Sequence, residues 1–184
     1  MEPESADARL TALYQRHYDD VLAYCVRRVG RNAADEVAAD VFAIAWRRID
    51  EIEWETARPW LFGVARGVVA NRWRSERRWM RLRDRLANLP TPPRDLPDEQ
   101  VVRRAEVDEV LGAVRRLKTR DREVLMLAGW EDLSAPEIAL SLSITVAAAE
   151  QRLHRAKKRL AKILPTPNSH RDVSPRAAQQ GGSP

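Results

Sequence analysis

Pro59-Trp60-Leu61-Phe62-Gly63-Val64-Ala65-Arg66-Gly67-Val68-Val69-Ala70-Asn71-Arg72-Trp73-Arg74-Ser75-Glu76-Arg77-Arg78-Trp79 joins an apolar helical stripe, a row of arginines and three tryptophans in one stretch. At about 100° per residue, Leu61, Phe62, Val64, Ala65, Val68, Val69 and Trp73 share an arc, the pattern of an amphipathic helix with a core-facing side. The opposite arc carries Gly63, Arg66, Gly67, Ala70, Asn71, Arg74, Arg77 and Arg78. An interior glycine costs a helix roughly 1 kcal/mol relative to alanine, which a plain solvated face has no reason to accept. Tiny residues alternating with cations therefore predict a backbone that something approaches closely, and the arginines predict that it is anionic. A charge row is more often a solvated face; the two glycines weigh against that reading here.

Working outward, charge changes sign at this helix. From Asp19 to Ala57 nine acids face five arginines, a net of −4, whereas Arg58 to Arg85 holds nine arginines and two acids, a net of +7. The basic run predicts a nucleic-acid footprint and the acidic run a protein-docking surface. The formal charge of the whole chain is +5. Only four of the 32 basic residues are lysine, which suits planar phosphate contacts and equally a GC-rich coding bias. The single cysteine, Cys25, lies in a helical run and is expected to be a small packed side chain in a reducing compartment. No apolar run approaches a membrane span and no signal-peptide pattern opens the sequence, so a cytoplasmic protein without membrane insertion is expected.

Taken in order, Ala6 to Val29 reads as a helix closed by Gly30, with His17 as a structural residue on its apolar side. Asn32 is the expected cap of a second helix through about Ile49, which shows Glu36, Asp40 and Arg47 outward. Asp50 to Ala57 forms a short loop around Ile52 and Trp54, read both as a packed turn and as a binding feature beside the basic helix. Pro90, Pro92, Pro93 and Pro97 then fall within eight residues and read as an extended tether. Helicity resumes near Gln100, stops near Lys118, and restarts with Thr119 as a cap.

Ser134-Ala135-Pro136-Glu137 matches the capping box and starts a short helix to Leu142. A tight turn at Ser141 to Ser143 follows, and Thr145 caps a longer helix bearing Arg152, Arg155, Lys157, Lys158, Arg159 and Lys162 against Glu150, a net of +5. Short helix, turn, longer basic helix is the helix-turn-helix arrangement; a plain helical hairpin is the alternative. Residues 165–184, rich in Pro, Gly and Gln, are expected to be a disordered tail. No segment alternates with period two. The expected fold is all-α: a helical domain over residues 6–80, a Pro-rich flexible linker over 81–100 and a second helical domain over 101–164.

Enzymatic signatures are missing. There is no Gly-x-x-x-x-Gly-Lys, His-Glu-x-x-His, Cys-x-x-Cys or Gly-x-Ser-x-Gly, and His17, His154 and His170 form no constellation in sequence. No catalytic residue, cofactor or metal is expected, and the protein is not expected to be an enzyme.

The chain resembles the extracytoplasmic-function group of the bacterial sigma-70 family of transcription initiation factors. Leu13-Tyr14-Gln15-Arg16-His17-Tyr18, Ala34-Asp35-Glu36-Val37, Asp40-Val41-Phe42 with Trp46, and Arg58-Pro59-Trp60-Leu61 with Val64-Ala65-Arg66 look like the sigma-2 domain. Leu117, Arg122-Glu123-Val124-Leu125, Leu133-Ser134, Glu137-Ile138-Ala139 and Arg152-Leu153-His154-Arg155-Ala156 look like sigma-4. Each motif is weak alone; their order and spacing are specific.

This resemblance implies docking on core RNA polymerase, through its beta-prime clamp and beta subunits, by Asp35, Glu36, Asp40 and Arg47. It implies minus-10 recognition of a melted strand by Trp54, Arg66, Gly67, Asn71, Arg74, Arg77 and Arg78, and minus-35 recognition by Thr145, Gln151, Arg152, Arg155, Lys158 and Arg159. An anti-sigma factor is a further implied partner beside promoter DNA. The chain departs from the family pattern at Ala39, where glutamine is common, at Gly67 in place of asparagine, at Ser143 in place of the turn glycine, and at Glu150 in place of a basic residue. Two other readings stand beside this one: a conventional helix-turn-helix operator-binding regulator, which leaves the first domain unexplained, and a helical interaction module with no DNA role.

Overall fold

The computed structural model describes residues 5–87 and 105–164, in which the helices are α1 (Ala6–Val29), α2 (Arg31–Arg47), α3 (Ala57–Ala87), α4 (Ala105–Arg116), α5 (Thr119–Gly129), α6 (Ala135–Leu142) and α7 (Val146–Ile163). Two 3-10 turns, Ile49–Glu51 and Trp54–Thr56, join α2 to α3. The expected tail and the proline cluster of the expected tether lie outside the described residues. Among the described residues there is no strand, and no helix is long and apolar enough to cross a membrane. α3 continues to Ala87, so the chain is still helical where the tether was expected to begin.

Helices α1, α2 and α3 pack together, and α5, α6 and α7 form a second group that α4 closes. In the first group Leu13, Val21, Val37, Val41, Leu61 and Phe62 are essentially inaccessible, each contributing roughly 1.5–3 kcal/mol by burial. Tyr24 stacks on Phe62 with ring centroids 5.3 Å apart, and Arg58 bonds Asp20 at 2.7 Å, so the start of α3 is pinned to α1. The second group centres on Val124, Leu127, Ile138, Ala149 and Ala156. Its small Ala149 and Ala156 are the buried positions of α7 and let that helix lie close to its neighbours.

The helix ends show which local signals decide. Gly30, at φ 76° and ψ 165°, both ends α1 and precedes α2, and its amide donates to Val26. Asn32 is therefore not a cap: α2 already starts at Arg31, because the backbone reverses at Gly30. Thr119 likewise lies inside α5, behind Lys118. The capping box forms as the sequence requires. Glu137 accepts the Ser134 amide at 2.8 Å, and the Ser134 hydroxyl holds its carboxyl below the usual range. Thr145 caps α7 by accepting the Ala148 amide at 3.2 Å.

His17 is buried, which lowers its pKa, and burial pushes the Cys25 thiol up to about 11. Both are packing residues, as their helical spacing predicts.

The two groups also touch each other. α6 lies across α3, where the buried Ser141 hydroxyl donates to the Pro59 carbonyl at 2.7 Å. A Cβ at Gly63 would meet the Ser141 carbonyl oxygen at 3.0 Å. What approaches Gly63 closely is thus the backbone of α6, not an anion. Around Gly67 nothing lies within 4 Å.

Candidate nucleic-acid interface

The apolar stripe of α3 is sunk into the first group, so its opposite side is fixed in space. Arg66, Gly67, Asn71, Arg74, Arg77 and Arg78 are all exposed on that side, as the helical spacing predicts. Pro59 and Gly63 occupy the same stripe at its upstream end, under α6. Arg72 lies off the row: it reaches Glu36 of α2 at 2.6 Å and Glu76 at 3.2 Å, and the bond to Glu36 raises its pKa.

The loop before α3 is more tightly held than an exposed aromatic would suggest. Ile52 is buried, and its carbonyl accepts from Arg9 at 3.1 Å. Trp54 is half-buried and packs against the core, and Arg48 sits over Trp60 at 5.5 Å while bonding Glu51. The packed-turn reading of this segment describes its fold. Trp54 remains partly accessible.

α2 buries Ala34, Val37, Ala38, Val41, Phe42 and Ala45, which turns Asp35, Glu36, Asp40 and Arg47 outward together. Asp35 accepts from the Tyr18 hydroxyl at 3.4 Å. Tyr18 stacks on Tyr14 at 4.6 Å, and Tyr14 lies 4.9 Å from Phe42. Tyr14 and Trp46, both largely exposed, flank the acidic face with apolar surface. Sequence reasoning did not assign these aromatics to the site; the i, i+4 spacing of Tyr14 and Tyr18 was the available signal.

On α7, Gln151, Arg155 and Lys158 fall within about 60° of one another, opposite the Ala149, Leu153, Ala156 and Leu160 stripe. All three are exposed. Arg152 is half-buried at the flank. Arg159 donates to the buried Asp121 of α5, so its charge is engaged in holding α7 to α5. The turn before α7 places Ser143 in the left-handed region at φ 52°, where its amide bonds Leu140 at 3.1 Å. A serine thus performs there the task usually given to glycine.

The arrangement has two exposed cationic helices, one in each group, and an acidic face with aromatic flanks on α2. Comparison with known proteins agrees with it. Sigma-70 region 2 matches residues 13–79, and Sigma-70 region 4 matches residues 108–160. The RNA polymerase sigma factor CnrH of Cupriavidus metallidurans is 30% identical over 186 residues, covering 89% of this chain and 97% of that protein. The ECF RNA polymerase sigma factor SigL of Mycobacterium tuberculosis is 32% identical over 166 residues, covering 85% of this chain and 89% of that protein.

Among solved structures, CnrH in complex with the cytosolic domain of CnrY aligns with a TM-score of 0.57 at 25% identity, over 88% of this chain and 90% of that one. The sigma factor RpoE, in complex with the anti-sigma factor NepR from Bartonella quintana, shares the fold with a TM-score of 0.62 at 18% identity, over 84% of this chain and 95% of that one.

The chain belongs to the sigma-70 family of RNA polymerase sigma factors. Within that family it falls in the extracytoplasmic-function group, whose members bind core RNA polymerase and confer promoter-specific initiation.

Proposed function

We propose that the three faces divide the work of initiation. The exposed side of α3, with Trp54, reads the minus-10 element as a melted strand. Cations along a helix track the phosphates, and an aromatic beside them accepts an unstacked base. The outward face of α7, led by Gln151, Arg155 and Lys158, enters the minus-35 major groove, where a helix of this width fits and arginine reads guanine edges. The acidic face of α2, which includes Asp40, docks on the beta-prime clamp of core polymerase. The first group, α1 to α3, acts as the sigma-2 unit and α4 to α7 as the sigma-4 unit. The chain directs the polymerase in the cytoplasm and catalyses no reaction itself. An anti-sigma factor is its natural inhibitor, in the manner of the relatives solved with one.

The observation that carries this reading is the exposure of one cationic face in each group beside an acidic face on α2. An operator-binding regulator would use α7 alone and leave the other two faces without a role. The test adds purified chain to sigma-free core polymerase and a genomic promoter library. Discrete start sites with two recognisable upstream elements are expected. An Arg74→Ala, Arg77→Ala chain should relax the requirement for the downstream element, and Arg155→Ala that for the upstream one. Start sites no different from core polymerase alone, or element preferences unmoved by either variant, would sink the assignment.

A further inference from the structure

The cations of α7 crowd into its second half. Arg155, Lys157, Lys158, Arg159 and Lys162 all follow Leu153, whereas the first two turns, Val146 to Leu153, hold only the half-buried Arg152. The residues exposed in those two turns are Val146, Ala147, Glu150 and Gln151. In a helix-turn-helix the start of the second helix reaches the base edges, while phosphate contacts carry no sequence information of their own. The end of α7 placed to select a sequence is thus the end with an acid and a single flanking arginine.

Glu150 has neither of the usual reasons for an acid on a helix surface. It stands five residues after the Thr145 cap, past the first turn in which the helix dipole favours a negative charge. Its neighbours at i−4 and i−3 are Val146 and Ala147, and those at i+3 and i+4 are Leu153 and His154, so no lysine or arginine is spaced to pair with it. Among the described residues its side chain makes no ion pair and no hydrogen bond.

A free carboxylate brought up to a polyanion is repelled unless it meets a donor. The major groove offers amino donors at cytosine N4 and adenine N6. Adenine sets its N7 acceptor beside that amino group, and an ionised carboxylate, which only accepts, cannot satisfy it. Cytosine is the base whose edge fits.

We propose that Glu150 is a base-selecting residue of the minus-35 element, accepting the N4 amino group of a cytosine and rejecting the other three bases at that step. The idea rests on the reading of α7 as the minus-35 helix. Thymine O4 and guanine O6 would oppose the carboxylate with an acceptor. Arg155 lies five residues on, about 140° around the helix and about 7.5 Å along it, so the two side chains address different base pairs. The acid weakens the grip on every duplex that lacks the cytosine, which makes α7 more selective and less adhesive.

The test uses core polymerase loaded with the full chain, transcribing a promoter library whose upstream element is randomised, with the productive templates sequenced. Wild type is compared with Glu150→Ala, Glu150→Gln and Glu150→Lys, none of which breaks a side-chain contact among the described residues. At one position the wild type is expected to favour cytosine about tenfold over thymine, within the range of one good base contact. That preference should vanish in Glu150→Ala. It should move to adenine in Glu150→Gln, which can accept from N6 and donate to N7, and to guanine in Glu150→Lys. The position that Arg155→Ala relaxes should stay as it is in all three.

Unchanged base preferences in the three variants, or a change in total output without a change at any base, overturn the role of Glu150. If Arg155→Ala still relaxes its own position in that case, the minus-35 reading of α7 stands. If Arg155→Ala and the Glu150 variants alike leave every position unmoved, that reading falls and the proposal falls with it.

Discussion

Ser141 donates its buried hydroxyl to the carbonyl of Pro59 across 2.7 Å, joining residues 82 apart in the chain. Replacing Ser141 with alanine removes one neutral hydrogen bond and no packing volume beyond an oxygen. The expected loss is about 1 kcal/mol of unfolding free energy in urea titration. Threonine in the same place should cost more, because its methyl must fit where α6 already touches Gly63. An alanine variant as stable as wild type would mean that water replaces the bond without loss.

Asp40 is exposed on the acidic face of α2. Asp40→Arg should weaken binding to core polymerase at least tenfold while leaving the isolated chain's affinity for promoter strands unchanged, since Asp40 is not part of the α3 row. Surface plasmon resonance against immobilised core polymerase measures the first, anisotropy the second. Unchanged core affinity rules out this docking face.

Gly67 and Gly63 should respond oppositely to added side chains. Around Gly67 nothing lies within 4 Å, so Gly67→Asn is sterically neutral, gains a few tenths of a kcal/mol in helix propensity and offers one more polar contact to a base. A sharper minus-10 preference is expected in start-site mapping across mutated promoters. Loss of open-complex formation would show instead that the strand needs the bare backbone.

Arg155 and Arg159 separate reading from scaffolding on one helix. Arg155→Ala should cost about 1–3 kcal/mol of binding to a minus-35 duplex and relax the preference at one position. Arg159→Ala strands the buried Asp121 carboxylate, so its larger effect should be on the thermal stability of the second group. If Arg159→Ala leaves melting unchanged but abolishes duplex binding, the roles are reversed.

Glu137 has its pKa held below the usual value, chiefly by the Ser134 hydroxyl. A depressed carboxylate pKa means that its stabilising effect is present above the unfolded value, about 4.3, and is lost as pH falls through the folded one. Glu137→Gln keeps the box and removes only the charge, so it should lower stability by a few tenths of a kcal/mol at pH 7 and by progressively less toward pH 3. Parallel melting curves of the two chains across that range would contradict the role of the charge in this cap.

Much of this was legible because it is local. The Ser134 and Glu137 box and the glycine stop at Gly30 each declare themselves within a few residues. The arginine row of α3 was readable for the same reason, since one helical period fixes which side chains point away from Leu61 and Phe62.

The partners of the buried Glu131, Arg27 and Arg28, were not readable. They lie 103 and 104 residues away, and nothing in Gly129-Trp130-Glu131-Asp132 distinguishes a buried acid from a turn acid. At Gly63 the sequence marks a place of close approach without saying what approaches, because a helix backbone and a phosphate both demand a missing side chain. Arg159 is indistinguishable in sequence from its neighbours on α7, and only the fold puts Asp121 beside it.

Gly30 has a consequence for insertions and deletions. It adopts φ 76° and ψ 165°, a conformation essentially confined to glycine, and spends a single residue between α1 and α2. With no spare chain at that corner, one inserted residue must either unwind a turn or rotate α2 by about 100°. The rotation would carry Asp40 to the buried place of Val41 and bring Phe42 to the exposed place of Ala43. The orientation of the acidic face is thus tied to an exact residue count at that corner, so variants that gain or lose one residue at position 30 are expected to be rejected.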